Sequence, residues 1–289
     1  VYGIPITVVG RGVLYNKKVF KDAGITELPK TPDEFIADLK AVKEKTDAVP
    51  LYTNYAAGWT MGAWDDYTGI TATGDAKYRN QEFAHTKDPF SDPGDGTGAY
   101  NVYKILYDAV ADGLTEDDYS TTDWESSKGM LNNGQIATMV LGSWAYPQMQ
   151  GAGDNPDDIG YFAFPITVDG KQYSPADEDY CFGINANSDE NNQKASMIFV
   201  KWMTEKSGYS YNEGGLPIAV GDDDLPEVYQ EFTDNNVEFI SNEPALEGEE
   251  DVLNELNADS ELMVGAGGNG RSRPLLSMLP MKTRTLMTL

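Results

Sequence analysis

Residues Gly134 to Tyr146 read GQIATMVLGSWAY, a short apolar strand that runs into a Gly-Ser-Trp turn and places Trp144 just past the strand end. In an open α/β sheet, ligands collect beyond the carboxyl ends of the strands. An aromatic ring carried there on a short turn offers a flat apolar face to a sugar ring, with polar groups around its rim. A tryptophan is also a common core residue, so the flanking sequence decides its role.

Outward from this strand, apolar β-branched runs alternate with helical patterns, which indicates an α/β protein. The opening VYGIPITVV and the following GVLYN read as strands, and a short helix from about Asn16 to Ala23 stops at Gly24, a left-handed C-cap. In Thr31-Pro32-Asp33-Glu34 the threonine caps, proline takes the first helical position and Glu34 closes a capping box. Phe35, Ile36, Leu39 and Val42 share one face of that helix, which should end near Thr46. A strand at Val49 to Tyr52 then delivers a loop from Asn54 to Tyr67. Helices are expected over Tyr100 to Ala111 and Asp123 to Leu131, and strands over Ile159 to Phe164 and Tyr180 to Ile184. A long helix from about Glu190 to Lys206 should bury Ala195, Ile198, Phe199, Trp202 and Met203.

Composition narrows the function. In 289 residues there are 21 basic and 47 acidic side chains, a formal charge of −26. Such a surface repels phosphate backbones and anionic headgroups, so nucleic acid is excluded as a partner and neutral or cationic ligands are favoured. One cysteine, Cys181, allows neither an internal disulfide nor a thiolate metal cluster. The single histidine, His85, sits in a polar run and has no neighbours from which to build a triad or a metal site. No metal and no cofactor is expected. No apolar stretch reaches the ~20 residues of a membrane span, and no signal peptide precedes the first strand. The segment from Arg271 to Leu289 carries Arg271, Arg273, Lys282 and Arg284 without an acid, an abrupt change in so acidic a chain.

Three motifs fail on context. Gly265 to Gly270 matches the dinucleotide GxGxxG fingerprint, but Pro274 follows where a helix must open. Asp92 to Gly98 has the flavour of a calcium loop without its alternating ligands or closing glutamate. Asp222-Asp223-Asp224 reads as a solvated run ahead of a helix. Carboxylates are plentiful, yet none form a pair whose context marks a glycosidase acid and base.

Three segments at strand ends share one chemistry. The first holds Asn54, Trp59, Trp64, Asp65, Asp66 and Tyr67; the second Trp144 and Tyr146; the third, before a strand, Tyr173, Asp177, Glu178, Asp179 and Tyr180. Rings that lie on C–H faces, beside carboxylates and amides that accept from hydroxyls, suit a carbohydrate cleft. Trp64 could equally pack under its loop, and Asp65-Asp66 could cap a helix.

The order YGIPI, GVLYNKKVFKDAGI, PKTPDEFIADLKAVKE, then GQIATMVLGSWAY and DYCFGINANSDENNQKASMIFVKWMTEKSGYSYNEGGLPIAVG resembles extracellular solute-binding protein family 1, the sugar-binding subunits of bacterial ABC importers. The likeness covers roughly residues 1 to 240. It implies a periplasmic-binding-protein-like fold of two α/β lobes with a hinge and an interlobe ligand cleft, the N-terminal part of the first lobe being absent from this chain. Residues 1 to 55 would then form the hinge strands and the rest of the N-terminal lobe, 56 to 240 mainly the C-terminal lobe with the ligand loops, and 241 to 289 a segment returning toward the hinge. By the same resemblance the protein is a receptor with no catalytic residues. It captures a mono- or oligosaccharide outside the cell as a monomer, periplasmic or tethered at the surface as a lipoprotein, and hands it to ABC permease subunits. Trp144 would be the stacking platform and Trp59 a second wall. Asn54, Asp177, Asp179 and Tyr180 would be hydroxyl partners, with Arg11 and Tyr211 as further ligand-binding candidates. A glycoside-active enzyme and a protein-interaction module on the same fold are the alternatives.

Overall fold

The strand that ends in the Gly-Ser-Trp turn, β4 (Ile136–Gly142), is buried at every position. The computed structural model describes residues 3–218 and 224–260. β4 pairs antiparallel with β2 (Arg11–Asn16), Arg11 opposite Gly142 and Tyr15 opposite Thr138. It pairs parallel with β3 (Val49–Leu51), and β5 (Ile159–Ala163) joins β2 on its far side to give the order β3-β4-β2-β5. Helices cover both faces of this sheet. A strand buried on both faces has no polar side to alternate with, so β4 reads as a continuous apolar run.

After β2 come α1 (Lys17–Asp22) and α2 (Pro32–Lys45), then α3 (Trp59–Asp66), α4 (Ile70–Thr73) and α5 (Gly98–Ala111). Phe35, Leu39 and Val42 of α2 and Val102, Ile105 and Leu106 of α5 pack on Val13, Tyr15 and Phe162. On the other face α6 (Trp124–Asn132), α7 (Ala145–Gln150) and α10 (Gln230–Asp234) bring Leu131, Met149 and Phe232 against Leu14, Met139 and Tyr161. The capping box of α2 forms in both directions: Glu34 N–H donates to Thr31 Oγ1 at 3.3 Å, and Thr31 N–H to the Glu34 carboxylate at 3.1 Å. Gly24 takes its left-handed conformation at φ +80°.

Two small sheets flank this core. β1 (Ile4–Val9) runs antiparallel to β7 (Asp177–Phe182), and β6 (Tyr173–Pro175) parallel to β8 (Glu238–Ile240). α8 (Glu190–Glu205) lies against β1, followed by α9 (Tyr209–Asn212); α11 (Val252–Ser260) ends the described chain. Residues on both sides of position 55 share the large sheet, since β2, β3 and β4 are its neighbours. Among the described residues no helix is long and apolar enough to cross a membrane.

The structure differs from the sequence reading at three places. α8 keeps its helical span but does not bury its apolar stripe: Ile198 is 71% and Trp202 51% exposed, and only Val200 is buried. Among the described residues the helix packs against β1 and α9, and most of its apolar stripe lies outside those contacts. The Asn54 to Tyr67 segment is not a loop but a 3₁₀ turn leading into α3, with Trp64 and Tyr67 in the core. Asp177, Asp179 and Tyr180 stand within β7, not ahead of it, and the strand ends at Phe182. The Gly265 to Gly270 motif, Asp222, Asp223 and the basic segment from Arg271 lie outside the described residues.

Glycine is required inside β2. A Cβ on Gly12 would lie 2.5 Å from the Phe162 carbonyl oxygen and 2.9 Å from the Tyr161 and Phe232 rings. Gly12→Ala should therefore lower the urea midpoint with an unchanged m-value, for a loss of about 2 kcal/mol.

Candidate functional site

One residue, Gly10, separates β1 from β2 and carries the chain from the small sheet to the large one. Three buried tyrosine hydroxyls converge on this crossing. Gly10 N–H donates to Tyr229 Oη at 2.9 Å, and that oxygen lies 2.8 Å from Ser143 Oγ and 3.1 Å from the Gly214 carbonyl. The Tyr161 hydroxyl donates to the Leu141 carbonyl at 2.9 Å and lies 3.2 Å from that of Gly10. Tyr67 donates to the Gly12 carbonyl at 2.6 Å. Burial pushes the Tyr229 hydroxyl up to about 12 and raises Tyr67 and Tyr161 as well, so all three remain protonated donors. A Cβ on Gly10 would strike the Tyr229 ring at 2.8 Å. The Ser143 N–H donates to the Gly10 carbonyl at 3.0 Å, which ties the end of β4 to the crossing.

Trp144 follows directly. A Cβ on Gly142 would lie 2.6 Å from Trp144 Nε1, so the absence of a side chain there lets the indole fold back over the strand end. Beside it opens a cavity of about 510 Å³, lined by Trp144 and Trp59, by Arg11 and Asp66, by Asp179 and Tyr180 of β7, and by Thr7, Gln148, Tyr209 and Glu213. This volume lies within the ordinary range for small-molecule sites. Trp59 packs on Trp144 with ring centres 5.6 Å apart. Behind them Trp124 contacts both, at 5.1 Å from Trp59 and 5.7 Å from Trp144, and Lys128 Nζ sits 4.9 Å from the Trp124 ring centre. Three indoles from α3, α6 and the β4–α7 turn thus brace one another in edge and tilted contacts.

Trp59 is set by the turn before α3. Asn54 takes a left-handed φ of +53°, which asparagine tolerates better than most residues, and its carbonyl accepts from Thr60 Oγ1 at 2.8 Å. The preceding Thr53 N–H donates to the buried Glu116 carboxylate at 2.9 Å, and the Thr53 hydroxyl bonds the same group. Burial raises the Glu116 carboxyl above its ordinary range, against the lowering by the Thr53 bonds. Across the cavity, burial also raises Asp179, opposed by the nearby Arg11 charge.

Of the residues singled out from sequence, the cavity gathers Arg11, Trp59, Trp144, Asp179 and Tyr180. Asn54 is only 1% exposed and lies behind α3, its amide donating to Ser127 Oγ at 3.2 Å. Asp177 stands outside the lining and accepts from Asn242 Nδ2 at 2.9 Å. Tyr211 faces a smaller neighbouring pocket. Asp66, part of the first aromatic-acidic segment with a helix cap as its alternative, lines the cavity and meets Arg11 Nη2 at 3.4 Å and Arg79 Nη1 at 3.7 Å. Gln148 was legible in principle, since it follows Trp144 at the i, i+4 spacing. Thr7, Trp124, Tyr209 and Glu213 carry no local signal.

The family pattern described as bacterial extracellular solute-binding protein matches residues 2–209. The chain belongs to this family. A manno-oligosaccharide-specific solute-binding protein of Bifidobacterium animalis subsp. lactis, BlMnBP2, solved with mannotriose, is 58% identical with a TM-score of 0.92 over 98% of this chain and 66% of its own. BlMnBP1 of the same organism, solved with mannobiose, is likewise 58% identical, with a TM-score of 0.93 over the same shares. The multiple sugar-binding protein of Streptococcus mutans is 27% identical over 226 residues, 76% of this chain and 51% of that protein. The chain thus spans about half the length of that relative and two thirds of the solved neighbours. Membership makes this an extracellular solute-binding protein by family, with the α/β fold expected from its sequence.

Two substitutions probe the scaffold around this cavity. Tyr229→Phe leaves the buried Gly10 N–H without its acceptor and should lower stability by about 2 kcal/mol in chemical denaturation. Glu116→Gln can keep a bond to Thr53. Because the native carboxyl is raised, the wild type loses stability as pH climbs from the ordinary carboxylate range through the raised native value. The stability of Glu116→Gln relative to wild type should therefore rise over that interval and then level off, as read from denaturation midpoints at several pH values.

Proposed function

We propose that this chain is the ligand-capturing part of a sugar receptor. It takes a manno-oligosaccharide outside the cell and delivers it to the permease subunits of an ABC importer. The observation that carries this reading is the Trp59–Trp144 wall of the 510 Å³ cavity, faced by Arg11, Asp179, Tyr180 and Gln148. Indole faces match the C–H faces of a pyranose, and the polar groups opposite match its hydroxyls. Support for the mannose series comes from the mannotriose and mannobiose held by the two neighbours at 58% identity. Trp144 serves as the platform and Trp59 as the second wall, while Asn54 bonds Ser127 and Asp177 bonds Asn242 beside the cavity. Tyr211 borders the site from the adjoining pocket.

The work done is binding without catalysis. The large sheet and the β1–β7 pair belong to two lobes that meet at the Gly10 crossing. Ligand shifts the population toward the closed arrangement by its tighter contacts there, and the permease reads that state. The receptor acts as a monomer, tethered at the cell surface or free in the periplasm.

Mannobiose or mannotriose should raise the melting temperature by mass action, equivalent to about 2.7 kcal/mol at a hundred-fold excess over Kd. Trp144→Ala, with its fold verified by circular dichroism, should weaken binding at least ten-fold, or about 1.4 kcal/mol. If no manno-oligosaccharide moves the melting curve while a peptide or polyamine does, the carbohydrate reading is wrong.

A further inference from the structure

Arg11 is the cationic side chain among the residues that line the cavity, and it is already engaged. Its Nη2 lies 3.4 Å from one Asp66 oxygen, while the other Asp66 oxygen lies 3.7 Å from Arg79 Nη1. Asp179 and Glu213 line the same cavity, and among the described residues no basic group lies within ion-pair distance of either. The lining therefore carries three carboxylates and one guanidinium, with Arg79 reaching Asp66 from outside it, so the acids remain in excess. Arg11 Nε is buried without a hydrogen-bond partner, and the Asp66 contact at Nη2 occupies only part of a five-donor guanidinium.

We infer that the cavity admits neutral and cationic sugars and rejects uronic acids, and that Asp66 sets this charge selection by holding Arg11. The inference rests on the sugar-receptor reading above. Hydroxyl groups can donate to Asp179 and Glu213, so neutral sugars satisfy the carboxylates. A sugar carboxylate can only accept. It would displace the water that screens two like charges and would compete with Asp66 for the guanidinium. Like charges that approach within a few ångströms in a partly enclosed site repel strongly. The chain's charge of −26 adds a field of the same sign at longer range. An ammonium sugar meets the opposite balance.

β-1,4-mannobiose and β-1,4-dimannuronate share linkage and ring and differ in charge, so they form the test pair. Titration calorimetry of the full chain should give dimannuronate at least ten-fold weaker than mannobiose. Asp66→Asn should free Arg11 and raise dimannuronate affinity at least five-fold. Glu213→Gln, which leaves the Arg11 contacts in place, should narrow the gap at least three-fold and reads the charge excess even if Asp66→Asn does not fold. Equal binding of the two disaccharides by the wild type overturns the inference alone. A folded Asp66→Asn protein with an unchanged ratio overturns the role given to Asp66. If neither disaccharide binds, the receptor reading itself falls and takes the inference with it.

Discussion

The cavity depends on how the backbone is fixed at Gly10. A buried hydroxyl or N–H without a partner costs about 1–3 kcal/mol, so the hydroxyls of Tyr67, Tyr161 and Tyr229 restrict this region to arrangements that satisfy all of them together. Their partners are the Gly10 N–H and the carbonyls of Gly12, Leu141 and Gly214. Wall residues lie close to these positions in the chain: Arg11 sits between Gly10 and Gly12, Glu213 precedes Gly214, and Trp144 stands three residues beyond Leu141. Absent side chains at Gly10, Gly12 and Gly142 leave room for the rings. Hydrogen bonding of backbone deep in the core thus places the groups that line the cavity.

What was legible in the sequence followed from local physics. The capping box at Thr31, the left-handed Gly24 and the doubly buried β4 are set within a few residues, and each appeared where the pattern put it. Trp144, Trp59, Asp179 and Tyr180 stood out because acids and aromatics cluster at strand ends, Arg11 came from the family resemblance, and all five line the cavity. What failed needed knowledge of partners. The stripe of α8 is a real amphipathic period, but a period says only that a face is apolar, not that anything covers it. The burial of Asn54 and the position of Tyr211 in an adjoining pocket likewise depend on packing that no local pattern carries. Glu213 and Thr7 reach the cavity, and Trp124 its indole wall, from separate elements and only through the fold.

Support for the walls is itself layered. Trp59 leans on Trp124, and its helix starts from a turn held by Thr53, Glu116 and the left-handed Asn54. A buried carboxylate that accepts from a backbone N–H and a hydroxyl fixes direction more tightly than an apolar contact of the same size. Rigid rings on one side therefore face the more exposed β7 and α9 groups on the other.

Three indoles whose centres lie 5.1 to 5.7 Å apart also behave as a unit toward light. At such separations excitation migrates among the rings faster than any of them emits. Trp124, which does not line the cavity, therefore shares its excited state with the two rings that do. A change in solvent or polarity at Trp144 alters the emission of the whole cluster, and the cavity wall becomes an optical antenna wired to its own contents.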